Sequence, residues 1–309
     1  MTASVPLAAP VDVAAAAQLA CLLEASAPKP GNVSPGRHFA DARYEDFLAS
    51  AAAVGPAFAA AGDAPLGATV RRAIDAVGGW ARSNTNLGIV LLLAPLARAA
   101  HRARAEGESG ATIAPDRLRG AVREVLAATT VADAHDVYAA IRRAAPGGLG
   151  RAEAQDVAAE PTVTLGEAMA LAAERDGVAL EYRSGFRTTF EVGAPALRRA
   201  RGAGLGWDDA VVETYLTLLA AQPDTHIARR AGAATAAAVS QQAAAALAAG
   251  GVRSAAGAAA VAALDASLRG PGNLANPGTT ADLTAAAIFV VLLGGGWHFT
   301  SRGLNAEPR

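Results

Sequence analysis

An all-α fold is what this sequence predicts, on three observations. Alanine and leucine dominate a chain that is 52% hydrophobic, only 5% of it is aromatic, and alternating β-branched runs are almost absent. Alanine and leucine cost least in a helix, and apolar faces recurring at three and four residues outscore a two-residue alternation nearly everywhere. At 309 residues the chain can bury a sizeable core. No repeat or composition break divides it, so residues 1–309 are expected to form a single multi-helix domain with a cleft lined by helix N-termini and loops.

The elements follow in order. A first helix is expected over 11–25, and PKPGN at Pro28–Asn32 stops it, because proline cannot continue a helix. Helices over 44–61 and 64–81 come next. SNTNLG at Ser83–Gly88 opens a strongly apolar helix over 87–105, and a polar loop over 104–111 leads to helices over 115–127 and 132–143. Residues 144–161 are the longest irregular stretch, a length that in compact domains usually marks a functional or mobile loop. Helices over 165–175, 194–201 and 207–221 flank EYRSGF at Glu181–Phe186. Asp224, after Pro223, N-caps a helix over 225–249, and one over 255–268 follows. In NPGTTADL, Thr279 or Thr280 caps the last helix, 280–293, with Asp282 in its first turn where the macrodipole favours a carboxylate.

Composition excludes several function classes. With 27 Lys+Arg against 28 Asp+Glu the net charge is -1, which gives no field for nucleic acid or an anionic membrane. Cys21 is the only cysteine, so disulfides and Cys-based metal sites are excluded and a reducing, cytoplasmic setting is expected. The N-terminal run lacks the positive region of a secretory signal. Residues 231–252 and 283–300 are apolar, but neither offers about 20 strongly apolar residues in a row, so both are read as buried helices. Alanine-rich helices often pair between subunits, which makes a homodimer an expectation.

Five polar interruptions can carry chemistry, and each also has a purely structural reading. Pro28–Asn32 is either a turn with an incidental lysine or a stiff mount for Lys29 as a phosphate contact. In Ser83–Gly88 the side chains of Asn84, Thr85 and Asn86 exceed what one N-cap needs, and a polar ligand could use the surplus. Glu181 is a surface carboxylate or a general base in a cleft. Asp224, His226 and Arg230 share one helix face. The helix start at Asn276–Leu283 is either a cap or a phosphate cradle, and Asp282 beside a phosphate would call for Mg²⁺.

Taken in order, these segments resemble the ATP:dephospho-CoA triphosphoribosyltransferase family. The resemblance rests on Pro28–Gly31, Gly36 with His38, Phe47 with Ser50, Asn84 with Thr85 and Gly88, Glu181 with Ser184–Phe186, Asp224 with Thr225 and Arg230, and Pro277–Gly278 with Ala281–Leu283. Where the family pattern has a His-Lys pair, this sequence has Asn86 and Leu87. The resemblance implies transfer of the 5-triphosphoribosyl group of ATP to a hydroxyl of 3'-dephospho-CoA, with adenine released. A different acceptor, such as a ribitol-containing precursor of a methanopterin-type cofactor, and a non-catalytic nucleotide-binding module are the alternatives.

Under the resemblance, Lys29 and Arg230 contact phosphates, and Asp224 and Asp282 hold Mg²⁺. Glu181 is the expected general base with Asp224 as competitor, and His38 or His226 assists the departing purine. Gly31, Asn32, Ser50, Asn84, Thr85, Asn276, Gly278, Thr279 and Thr280 are expected to contact ATP. The implied partners are small molecules, ATP and dephospho-CoA, with no nucleic acid and no membrane.

Overall fold

Helix starts in this chain are written in short polar side chains. Asp12, Asp176, Asp224 and Ser254 each accept a backbone N–H from the turn that follows. Thr130 and Thr164 close reciprocal capping boxes with Asp133 and Glu167. The first N–H groups of a helix have no intrahelical partner, so these side chains fix where each helix begins.

The structure is a computed structural model and describes residues 11–81, 83–106 and 112–297. Residues 1–10, residues 107–111 of the expected polar loop and the end of the apolar stretch over 283–300 lie outside the described residues. In order the helices are α1 (Val13–Ser26), α2 (Tyr44–Ala53), α3 (Gly55–Ala59), α4 (Leu66–Val77), α5 (Leu87–Ala105), α6 (Pro115–Ala127), α7 (Val131–Ala144) and α8 (Leu165–Ala172). They continue as α9 (Gly177–Ser184), α10 (Ala194–Gly202), α11 (Trp207–Ala221), α12 (Thr225–Ala231), α13 (Ala233–Ala248), α14 (Ala255–Leu268) and α15 (Gly278–Leu293). A π-helical turn, Thr189–Gly193, leads into α10. Among the described residues the only β pairing is an isolated bridge between Ser34 and Arg37.

The all-α expectation therefore holds, with three local differences. The helix expected over 44–61 breaks at Val54, because Gly55 packs where a Cβ would lie 2.6 Å from the Gln18 side chain and Pro56 follows. The helix expected over 225–249 breaks at Gly232, whose φ of 93° is outside helical space. Residues 177–184 form α9, so the first four residues of EYRSGF are helical and not an interruption. Asp176 caps it, and Gly185 ends it in the left-handed region with φ 65°.

The core is centred on α15, in which every residue except Gly278 and Asp282 is buried. Its Ile288, Phe289, Val290, Val291 and Leu292 are buried, and the helix packs against α1, α5 and α11. Each such side chain stabilises the fold by about 1.5–3 kcal/mol on burial. No helix among the described residues is long and apolar enough to cross a membrane. One consequence bears on function: an otherwise buried helix leaves a single carboxylate, Asp282, open at its first turn.

Candidate active site

Asp282 opens into a cleft of about 1020 Å³ formed where α1 ends and where α5, α9, α12 and α15 begin. The helix-free segment 145–161 supplies a further edge through Pro146, Arg151 and Gln155.

One wall is acidic. Glu24, in the last turn of α1, lines the cleft beside Asp282 and is 4% exposed. Behind it Lys29 is wholly buried, with Nζ 3.0 Å from Glu24 Oε1, donating also to the Glu24 carbonyl and, at 3.3 Å, to the Ala27 carbonyl. An ammonium has three protons, and all three have acceptors here. Burial first, then the negative charges of Glu24 and Asp224, hold the Asp282 carboxyl well above the usual carboxylate range. The neighbouring carboxylate adds to the cost of ionising Asp282, which a cation offsets.

Arginines share the lining: Arg143, Arg151, Arg175, Arg229 and Arg230, with Arg229 near enough to Asp282 to act on its charge. Arg229 is braced by Asp176 at 3.1 Å, and Arg230 donates to the carbonyls of Asn273 (3.1 Å) and Gly272 (2.8 Å). Both braces fix the guanidinium planes against the cleft edge.

The site also holds amides, hydroxyls and an imidazole. His226 Nδ1 donates to the Asn276 carbonyl at 2.9 Å, which leaves Nε2 as an acceptor. Burial and the neighbouring Arg229 push its pKa down to about 4, so the ring is neutral at pH 7. Ser50 donates to the Asp46 carbonyl at 2.7 Å and takes up Thr85 Oγ1, also at 2.7 Å, so Thr85 is held from behind. Asn32 donates to Tyr215 at 2.9 Å. Thr279 Oγ1 meets Thr225 Oγ1 at 3.0 Å, and Thr225 accepts the Gly177 N–H, which ties together the starts of α15, α12 and α9. Among the described residues, five buried polar atoms on cleft-lining residues have no hydrogen-bond partner: Ser83 Oγ, Asn86 Oδ1 and Nδ2, Asn276 Oδ1 and Arg229 Nε. Buried polar groups are nearly always satisfied, so such a concentration in one cleft points to a polar ligand.

Of the residues expected to form the site, Asn32, Asn84, Thr85, His226, Arg230, Asn276, Gly278, Thr279 and Asp282 line this cleft. The others do not, and each has a structural reason. Lys29 spends its charge on Glu24 and the carbonyls left free at the end of α1. Glu181 is fully buried and accepts the N–H groups of Thr188 and Thr189, both at 2.8 Å, capping the turn that leads into the π-helical segment. Asp224 is 2% exposed; Oδ1 takes the Ile227 N–H, and Oδ2 takes the N–H and hydroxyl of Thr280, both at 2.7 Å. It thereby occupies the start of α15 where a phosphate had been expected, which removes Thr280 from the cradle as well. His38 is exposed and its Nδ1 accepts the Tyr44 N–H at 3.1 Å. Gly31, with φ 73°, donates to Asp265 and packs where a Cβ would lie 2.8 Å from Leu268. Ser50 stands one layer back, behind Thr85.

Sequence reasoning missed Glu24, Asp176, Arg229 and the two loop-side arginines, Arg151 and Arg175. A signal for Glu24 was present, since it is the one charged residue in α1, VAAAAQLACLLEAS. A lone carboxylate in an apolar helix is worth a partner search.

Residues 10–301 match the family model of CitG, ATP:dephospho-CoA triphosphoribosyl transferase. This chain belongs to that family. A 69-residue stretch is 38% identical to the 2-(5''-triphosphoribosyl)-3'-dephosphocoenzyme-A synthase of Pectobacterium atrosepticum, covering 22% of this chain and 23% of that protein. The fold is similar to a crystal structure from Archaeoglobus fulgidus, provisionally named a triphosphoribosyl-dephospho-CoA synthase, with a TM-score of 0.63 and 31% identity. That match covers 81% of this chain and 100% of the other.

Proposed function

We propose that this chain transfers the 5-triphosphoribosyl group of ATP to the ribose 2'-hydroxyl of 3'-dephospho-CoA and releases adenine. One observation carries the reading: five arginines line the same cleft as the neighbouring carboxylates Glu24 and Asp282. The donor has the matching polarity, a polyanionic triphosphate at one end and, at C1', a carbon that gains positive charge as its bond to N9 breaks. Arg229 and Arg230, fixed by Asp176 and by backbone carbonyls, bind the triphosphate. Arg151 and Arg175 add charge from the cleft edge.

Glu24 faces the ribosyl carbon and stabilises its developing charge, held in place by Lys29 behind it. His226, neutral and with Nε2 as an acceptor, orients a ribose hydroxyl and gives no proton to the leaving purine. Thr85, Thr279 and Asn276 complete the polar contacts. The C1'–N9 bond electrons leave with adenine, the acceptor oxygen bonds to C1', and the hydroxyl proton balances the charge on departing adenine.

Mg²⁺ fits this donor set. Among the described residues no three His, Cys, Asp or Glu side chains gather to hold a metal unaided. Mg²⁺ bound largely through substrate phosphates needs only one or two carboxylates, and Asp282 is a hard oxygen donor on the cleft lining. Bound there it would neutralise phosphate charge. A reducing, cytoplasmic setting accords with Cys21, which is free and buried.

The test is mass spectrometry of the protein incubated with Mg-ATP and 3'-dephospho-CoA. Free adenine in equal amount to an acceptor that has gained triphosphoribose supports the reading. Adenine release that ignores dephospho-CoA, or no adenine at all, overturns it.

A further inference from the structure

We propose that Asn86 is the nucleobase-reading residue of the cleft, its side-chain amide pairing with the amino edge of an adenine; this rests on the triphosphoribosyl-transfer reading above.

Asn86 stands at the N-cap position of α5, where asparagine ordinarily spends its side-chain oxygen on a backbone N–H. Here that duty belongs to another residue. Asn84 Oδ1 accepts the Leu87 N–H at 3.0 Å, and Asn86 makes no capping bond. Asn86 is 4% exposed, lines the cleft, and has neither Oδ1 nor Nδ2 paired among the described residues. The neighbouring Ser83 Oγ is in the same condition. Leaving both halves of an amide unpaired in a dry wall is costly, and a ligand that pairs them removes the cost. Because the side chain makes no hydrogen bond, a turn about χ1 or χ2 toward the cleft breaks none.

The chemistry of the free pair names its complement. An amide offers one acceptor and one donor side by side, and adenine's N6 amino group beside a ring nitrogen offers a donor and an acceptor at matching spacing. The cleft that Asn86 lines can take a flat base, since Phe39, Phe47, Leu87 and Met169 give its lining apolar surface. Arginines line the same cleft, and a phosphate chain leading away from the base would run toward them. A bare phosphate would not use the acceptor half of the amide, and an aliphatic chain would use neither half.

Both substrates of the proposed reaction carry an adenine, so the experiment separates them. Calorimetric affinities are measured for ATP and for 3'-dephospho-CoA, and for the analogue of each that lacks the N6 amino group, with the native chain and with Asn86→Ala. For the nucleotide whose adenine Asn86 reads, removing the amino group weakens binding to the native chain by about tenfold, as expected for half or more of a bidentate pair. The same removal costs Asn86→Ala little. For the other nucleotide the losses in the two proteins are equal. Equal losses for both nucleotides would overturn the assignment, while a native chain that binds neither would instead count against the transfer reading. Melting temperature is a control: Asn86→Ala gives up no hydrogen bond, so it melts no lower than the native chain, and a large drop would show that the amide supports the fold instead.

Discussion

Lys29 is where residue chemistry and motif reading part. The two flanking prolines stiffen the chain, as expected, but the charge they hold points back at Glu24 and not into the cleft. Breaking a buried ion pair leaves one charge without compensation. Lys29→Met is therefore expected to lower unfolding stability by about 3–5 kcal/mol in urea titration. The loss should shrink when Glu24→Gln is added, because no charge is then stranded; a single variant as stable as the native chain would show that the pair contributes nothing.

His226 gives a pH prediction at the same scale. Its pKa in the folded chain is about 4, against an ordinary 6.5 when unfolded. As pH falls below about 6.5 the unfolded chain takes the proton first, so stability that is complete above that point is lost progressively down to about pH 4. The loss from this one group is on the order of 3 kcal/mol. Between pH 7 and 4.5, His226→Asn should lose about 2 kcal/mol less than the native chain in the same titration. Parallel losses in the two proteins would place the acid sensitivity elsewhere.

Among the elements, the first turns of α5 and α15 matter most because they touch. Gly88 packs so closely on α15 that a Cβ there would overlap the Asp282 carboxylate. Gly88→Ala is expected to push Asp282 out of line and cut adenine release by tenfold or more on the order of one misplaced catalytic group, while far-ultraviolet circular dichroism stays native. Unchanged turnover would mean that the position of Asp282 is immaterial. Helices themselves were legible: the bounds of α5, α6, α11 and α14 coincide with those expected from apolar period and caps. Breaks at Val54 and Gly232 were not, because glycine inside an alanine-rich run is a weak local signal, and it is packing against Gln18 or the need for a positive φ that decides.

For the whole molecule, the cleft joins segments from residue 24 to residue 282, so a ligand that fills it ties distant parts of the chain together. Mg-ATP at 100 times its dissociation constant should add about 2.7 kcal/mol to stability and raise the melting temperature measurably. A clearly smaller shift with ADP at the same concentration would argue that the affinity comes from the triphosphate and the arginines; no shift with Mg-ATP would argue against a nucleotide site there.

Half of the candidate site was legible, and the division has a cause. Polar residues at helix starts, such as Asn84, Thr279 and Asp282, announce themselves because helices begin at polar side chains whether or not a ligand binds. That same ambiguity hid which of them serve the fold: Asp224 and Glu181 are as polar in sequence as Asp282, yet both give their oxygens to backbone N–H groups.

The sequence by itself determined the all-α class, most helix bounds and the family, since these follow from propensity, period and short motifs in order. Only the tertiary structure decided which charges face the cleft. Glu24 and Arg229 do, whereas Lys29, Glu181 and Asp224 turn inward, because a buried charge or carboxyl goes to the partner that satisfies it, and that partner is chosen by packing between segments far apart in the chain.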